Sequence, residues 1–171
     1  RAVSYTEGVL AYGRTQEAPP ARRRLRLRLL VEEVEDFLGL TPDSGIEFVN
    51  AVDAELEIDA DSEQMFRILS NLSRNSVQAM AAERDSAVVK RLAIHAERKG
   101  SVCRIFVEDT GPGLPLKARE NLFTAFRGSA RSGGTGLGLA IARDIARSHG
   151  GDITLSNSPM GGLRASVRVP V

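Results

Sequence analysis

The chain has 171 residues, 42% hydrophobic and 26% charged, which suits one globular domain with a real core and excludes a disordered or fibrous protein. Lys+Arg at 23 against Asp+Glu at 22 leaves a net charge of +1, so no global field draws it to nucleic acid or an anionic membrane. The single cysteine, Cys103 in the apolar run VCRIFV, excludes an internal disulfide and reads as a buried thiol in a reducing compartment.

No stretch is long and apolar enough to span a bilayer and no signal peptide opens the chain, so a cytoplasmic segment is expected. It begins at Arg1 rather than Met, as a piece of a longer, membrane-anchored or free protein would. Arg1 to Arg14 read as a helix and Pro19-Pro20 as a linker, which sets residues 1–21 apart from a domain over 22–171. In RLRLRLL, arginines alternate with leucines as on the wet face of an edge strand, a better reading of Arg22 to Arg28 than a nucleic-acid patch.

LLVEEVEDFLGL then predicts an amphipathic helix ending near Gly39, and IEFVNAV and ELEID two short strands. Asp61 with Gln64 three residues on resembles a capping box, and Met65, Ile68, Leu69, Leu72 and Ala79 continue at helical spacing. RLAIHAE and VCRIFVED flank RKGS, a hairpin signal. A short helix, the segment LFTAFRGSARS, a helix from about Leu137 to His149 and a hairpin around PMGG complete the chain. Strands interleaved with helices and then paired by hairpins predict a two-layer α/β sandwich with a mixed, mostly antiparallel sheet covered by helices on one face.

Three groups of residues carry chemistry. Asn71 and Asn75 stand one helical turn apart, with Arg74 and Gln78 near the same stripe, and a neutral amide oxygen beside phosphate oxygens and water suits magnesium. An exposed polar helix face is the plainer alternative. Asp109 ends a strand before Gly111 and Gly113, and a carboxylate, being an acceptor only, fits the exocyclic amine of adenine and refuses guanine. An ordinary turn would have the same composition. GGTGLGLA sets Gly133, Gly134, Gly136 and Gly138 just before a helix, where bare amides and the helix N-terminus attract an anion.

That glycine run lacks the Lys-Ser/Thr of a P-loop and fails the spacing of a dinucleotide fingerprint. Phe123 and Phe126, followed by Arg127, would anchor a loop that docks when nucleotide is present. Together these groups imply ATP with magnesium. His95 reads as a surface or edge histidine and His149 as a helix-end residue before Gly150-Gly151; neither looks catalytic, and a zinc site is not expected.

In this order NLSRNSVQAM, DTGPG, LFTAF and GGTGLGLAIARDIARSHGG resemble the N box, first glycine box, F box and second glycine box of the sensor histidine kinase ATP-binding domain, in the GHKL superfamily with its Bergerat-type fold. The resemblance covers Arg22 to Val171. It implies that Asn75 coordinates magnesium, with Asn71 on the phosphate side of the same ion, and that Asp109, Gly111 and Gly113 form the adenine pocket. It further implies that Phe126, Arg127, Gly134, Thr135, Gly136, Leu137 and Gly138 carry the lid and phosphates, with Ser166 near the adenine.

Two departures shape the expected function. The ATPases of the superfamily carry a glutamate as general base where this chain has Asn71, and an asparagine takes no proton from water, so transfer to a protein is expected over rapid hydrolysis. No His-Glu or His-Asp pair with a following Arg-Thr-Pro run is present, so the phosphoacceptor histidine would lie upstream of Arg1. The resemblance then implies a homodimer through N-terminal helices and a response regulator as second acceptor, with no nucleic-acid partner. A protein-serine kinase of the anti-sigma type and a binding-only phosphotransfer module on the same fold are the alternatives.

Overall fold

The computed structural model describes residues 18–82, 89–113 and 137–171. The expected Arg/Leu strand is shorter than its alternation suggests: β1 spans Arg23–Arg26, and α1 follows at once over Leu27–Leu38. The helical period wins because Leu27, Leu30, Val31 and Val34 form one buried stripe, whereas continued alternation would expose half of them. Gly39 stops the helix in the left-handed conformation, at φ 62°.

β1 pairs antiparallel with β3 (Glu57–Ala60) as a separate two-stranded sheet. Its arginines are tied locally: Arg24 faces Glu57 at 4.0 Å, Arg26 faces Glu55 at 3.9 Å, and Arg23 donates to Ser62 Oγ at 3.1 Å. Arg23, Arg24 and Arg26 are thus exposed strand residues as the alternation predicts, whereas Arg28 stands on α1 and donates to Val52 O at 3.2 Å.

The main sheet has five strands: β2 (Ile46–Asn50), β4 (Lys90–Lys99), β5 (Val102–Asp109), β6 (Asp152–Asn157) and β7 (Leu163–Pro170). Their order is β2-β4-β5-β7-β6, with β2 and β4 parallel and every other pair antiparallel. With α1, α2 (Ser62–Ala81) and α3 (Leu137–Ser148), this is the mixed, mostly antiparallel α/β sandwich that the pattern predicts. Strand alternation sorts the faces. Cys103, Ile105 and Val107 of β5 and Ala165, Val167 and Val169 of β7 share a core with Met65, Ile68, Leu69, Ile141 and Ile145 of the helices. Burial pushes the Cys103 thiol up to about 11, so it packs as a small neutral group.

Asp61 caps α2 by accepting from Gln64 N at 3.1 Å, but the box is not reciprocal. Gln64 Nε2 turns to Ala18 O at 2.9 Å, while Asp61 N donates to His149 Nε2 at 3.1 Å. His149 is fully buried, and its Nδ1 reaches Ile145 O at 3.0 Å. An acceptor at Nε2 and a donor at Nδ1 define a neutral Nδ1–H imidazole. This histidine joins the end of α3 to the start of α2 instead of closing a helix in solvent. Burial raises the Asp61 carboxyl, yet the Ala21, Gln64 and Glu63 amides outweigh it and hold the group below 3.8.

Candidate nucleotide site

Asp109 ends β5 on the helix-facing side and is fully buried. Its Oδ1 accepts two backbone amides, Gly111 N at 3.0 Å and Leu163 N at 3.1 Å, so β5, the following turn and β7 all converge on one carboxylate. Gly162 makes this approach possible. A Cβ there would stand 2.3 Å from both Asp109 O and Asp109 Oδ1, and 2.7 Å from Gly111 N. The turn at PMGG requires only Gly161, which takes φ 103°; Gly162 answers instead to the close approach of Asp109.

Thr110 anchors the same turn to the neighbouring strand. Its Oγ1 donates to Val89 O at 2.6 Å and accepts from Arg91 N at 2.9 Å, while its own N–H donates to Arg91 O at 3.2 Å. Gly113 lies buried at φ 74°, a conformation a side chain would strain.

On α2, Asn71 is buried and its Nδ2 donates to Gly138 O at 3.4 Å, so the two motifs sit against each other although 67 residues separate them. A side chain at 138 would begin 3.8 Å from Asn71 Cγ. Asn75, one turn on, is half-buried. Thr110 Oγ1 lies 3.7 Å from Met80 Sδ, which brings the C-terminal half of α2 over the end of β5. Arg74 leaves the stripe and lies over the Phe37 ring, 5.1 Å from its centroid.

Ser166 is a correction. It stands on β7 between Arg164 and Arg168, on the face opposite Ala165 and Val167, and lines a hollow with Phe106 and Thr154. Side chains alternate along a strand, so Ser166 points away from the face that carries Asp109. Phe123, Phe126, Arg127, Gly133, Gly134, Thr135 and Gly136 lie outside the described residues, as does the side chain of Leu137.

His95 is half-buried on the outer face of β4, so the surface half of its expected reading stands, whereas β4 lies between β2 and β5 and the residue is at no edge. Its Nε2 meets Glu108 Oε2 at 3.0 Å and its ring stacks on Phe106 at 4.8 Å. Glu108 also takes Arg164 Nε, whose guanidinium lies over the other part of the same phenylalanine, 4.7 Å from the centroid. None of this constellation was visible as a motif, because its members come from three strands.

The comparisons decide what the arrangement belongs to. Residues 60–171 match the family described as Histidine kinase-, DNA gyrase B-, and HSP90-like ATPase. The chain is a member of that family. It is 32% identical over 161 residues to the sensory histidine kinase/phosphatase NtrB of Escherichia coli O157:H7, covering 91% of this chain and 46% of the relative. The chain thus spans about half the length of the curated relatives it matches.

Among solved structures, a nucleotide-free catalytic domain of the histidine kinase ThkA superposes with a TM-score of 0.75 at 27% identity, covering 87% of this chain and 95% of that one. Full-length ShkA in complex with AMPPNP superposes at 0.74 with 26% identity, covering 97% of this chain and 34% of that one. The similarity of this ATPase-family chain therefore runs to histidine kinases, and its fold is that of their ATP-binding domains.

Proposed function

We propose that this chain is the ATP-binding kinase domain of a two-component sensor histidine kinase, transferring the γ-phosphoryl of ATP to a histidine outside the segment and thence to a response-regulator aspartate. The observation that carries the proposal is the Asp109 clamp, a buried acceptor at the end of β5 fixed by two backbone amides. A preset acceptor loses little orientational freedom on meeting the adenine amine. Gly111 and Gly113 leave the adjoining backbone open to a flat ring.

The donor set fits magnesium. Asn75 offers a neutral amide oxygen one turn beyond Asn71, and phosphate oxygens and water would complete an octahedron. Among the described residues no group of three or more His, Cys, Asp or Glu stands together, so no all-protein metal cage competes with this arrangement. Bound there, the ion would neutralise phosphate charge. Asn71, held to Gly138, keeps α2 and α3 in register beneath the triphosphate and supplies no base for water. Phe126, Arg127, Gly134, Thr135, Gly136, Leu137 and Gly138 would form the lid and phosphate cradle. NtrB, named a sensory histidine kinase/phosphatase, and ThkA, solved in complex with the response regulator TrrA, support the same reading. A homodimer through N-terminal helices, of which Arg1 to Arg14 would be the end, would then present the acceptor histidine.

Labelled ATP tests the transfer. The chain alone should acquire no acid-labile, base-stable label, because His149 is buried in hydrogen bonds and His95 is locked to Glu108. A longer protein carrying the upstream helices should acquire it. Phosphohistidine on His95 or His149, or acid-stable phosphoserine on an added partner, would contradict the proposal.

A further inference from the structure

We propose that the outward face of the sheet, around Arg104 and Arg168, is a docking groove for an acidic segment of a protein partner. The two arginines stand directly opposite each other across β5 and β7, and both are exposed. Like charges in facing register destabilise a sheet unless something bridges them. Neither side chain makes an ion pair or hydrogen bond with any described residue. The carboxylates nearby are already committed: Asp152 to Arg143 and Arg147, Glu108 to Arg164 and His95. Glu97 faces Arg104 in the β4–β5 register and Asp152 faces Arg168 in the β6–β7 register, and neither carboxylate forms an ion pair with the arginine it faces. Arg23, Arg24 and Arg26 differ in this respect, since each has a partner on its own chain.

The arginine pair lies between two hollows. One, of about 300 Å³, is lined by Phe106, Asp152, Thr154 and Ser166; the other, of about 320 Å³, by Glu97, Lys99 and Val102, and both include Arg104 and Arg168. The groove thus carries three cations against two carboxylates, of which Asp152 is already neutralised by Arg143 and Arg147, and the hydroxyls of Ser166 and Thr154 offer further donors. Planar guanidinium groups bind carboxylates two-pronged, which suits an extended chain presenting acidic side chains. A single small anion would leave most of the groove empty. Single-stranded nucleic acid wants an open aromatic platform, and Phe106, only 7% exposed, is covered by His95 and Arg164.

The test uses the whole chain and a fluorescent oligoglutamate peptide, followed by anisotropy. Binding should weaken with salt and fall by about tenfold or more in the Arg104→Gln/Arg168→Gln double variant. Arg24→Gln/Arg26→Gln, which removes the same charge from the two-stranded sheet, should bind as the parent does. The Arg104/Arg168 variant should keep its ATP affinity and melt no lower than the parent, since it loses an opposed like-charge pair. Undiminished peptide binding in that variant, or equal loss in the Arg24/Arg26 variant, overturns the proposal. Displacement of the peptide by a single-stranded oligonucleotide or inorganic phosphate at lower charge concentration also overturns it.

Discussion

Glu108 and Asp109 are adjacent, both acidic and both buried, yet β5 turns them to opposite faces and gives them opposite chemistry. Glu108 is held by ionic side chains, with Arg164 on one oxygen and His95 on the other, and Phe106 packed beneath both. Asp109 is held by backbone amides of the turn and of β7. Side-chain ion pairs neutralise a carboxylate and consume it in structure. Amides from the frame orient a carboxylate without cancelling its charge, which is what a recognition acceptor requires. On the proposed reading Glu108 is the structural acid and Asp109 the recognition acid, and burial alone does not separate the two.

The comparison breaks most sharply at Glu108. Glu108→Ala strands a guanidinium that is largely covered, a loss of about 3 kcal/mol for one partner of a buried pair, somewhat screened because Arg164 retains solvent contact. Urea unfolding should show it, and ATP affinity of the folded fraction should stay unchanged; a parallel loss of ATP binding would place Glu108 in the site. Gly162→Ala probes the other side. With Asp109 O and Oδ1 each 2.3 Å from the new methyl, overpacking should cost about 1–3 kcal/mol and weaken ATP binding as well, because the methyl meets Asp109 itself. Wild-type ATP affinity in that variant would separate Gly162 from the nucleotide end.

A smaller effect is expected at the far end of α2. Asp61→Ala removes a cap worth about 1 kcal/mol and should leave nucleotide selectivity intact. Because the Asp61 and Asp152 carboxyls both sit below 3.8 in the folded chain, their stabilisation is present above that pH and lost as pH falls through their lowered values. Acid titration of stability should be shallower in Asp61→Ala than in the parent.

Much of the fold was legible because its signals are local: the buried stripe of α1, the Asp61 cap, the RKGS hairpin and the alternation of β7. The outward placement of Ser166 is a local signal too, since Leu163, Ala165, Val167 and Val169 mark the inner face by period two. Other features are non-local. Nothing in the residues around His149 points to Asp61, 88 positions away, and the Glu108 cluster draws on β4, β5 and β7. Asp109 and Asn71 were found from motif spacing, but their fixing by Leu163 N and Gly138 O depends on tertiary contacts that no spacing encodes.

Titration calorimetry with magnesium, comparing ATP and GTP on the parent chain and on Asp109→Asn, tests the central claim most directly. The parent should bind ATP and discriminate against GTP, and Asp109→Asn should lose about 1–3 kcal/mol of ATP affinity because an amide turned toward Gly111 N and Leu163 N can misplace a donor at the base edge. Equal affinity of the parent for both nucleotides, or unchanged ATP binding by Asp109→Asn in a folded protein, would contradict the assignment of Asp109 as the adenine acceptor.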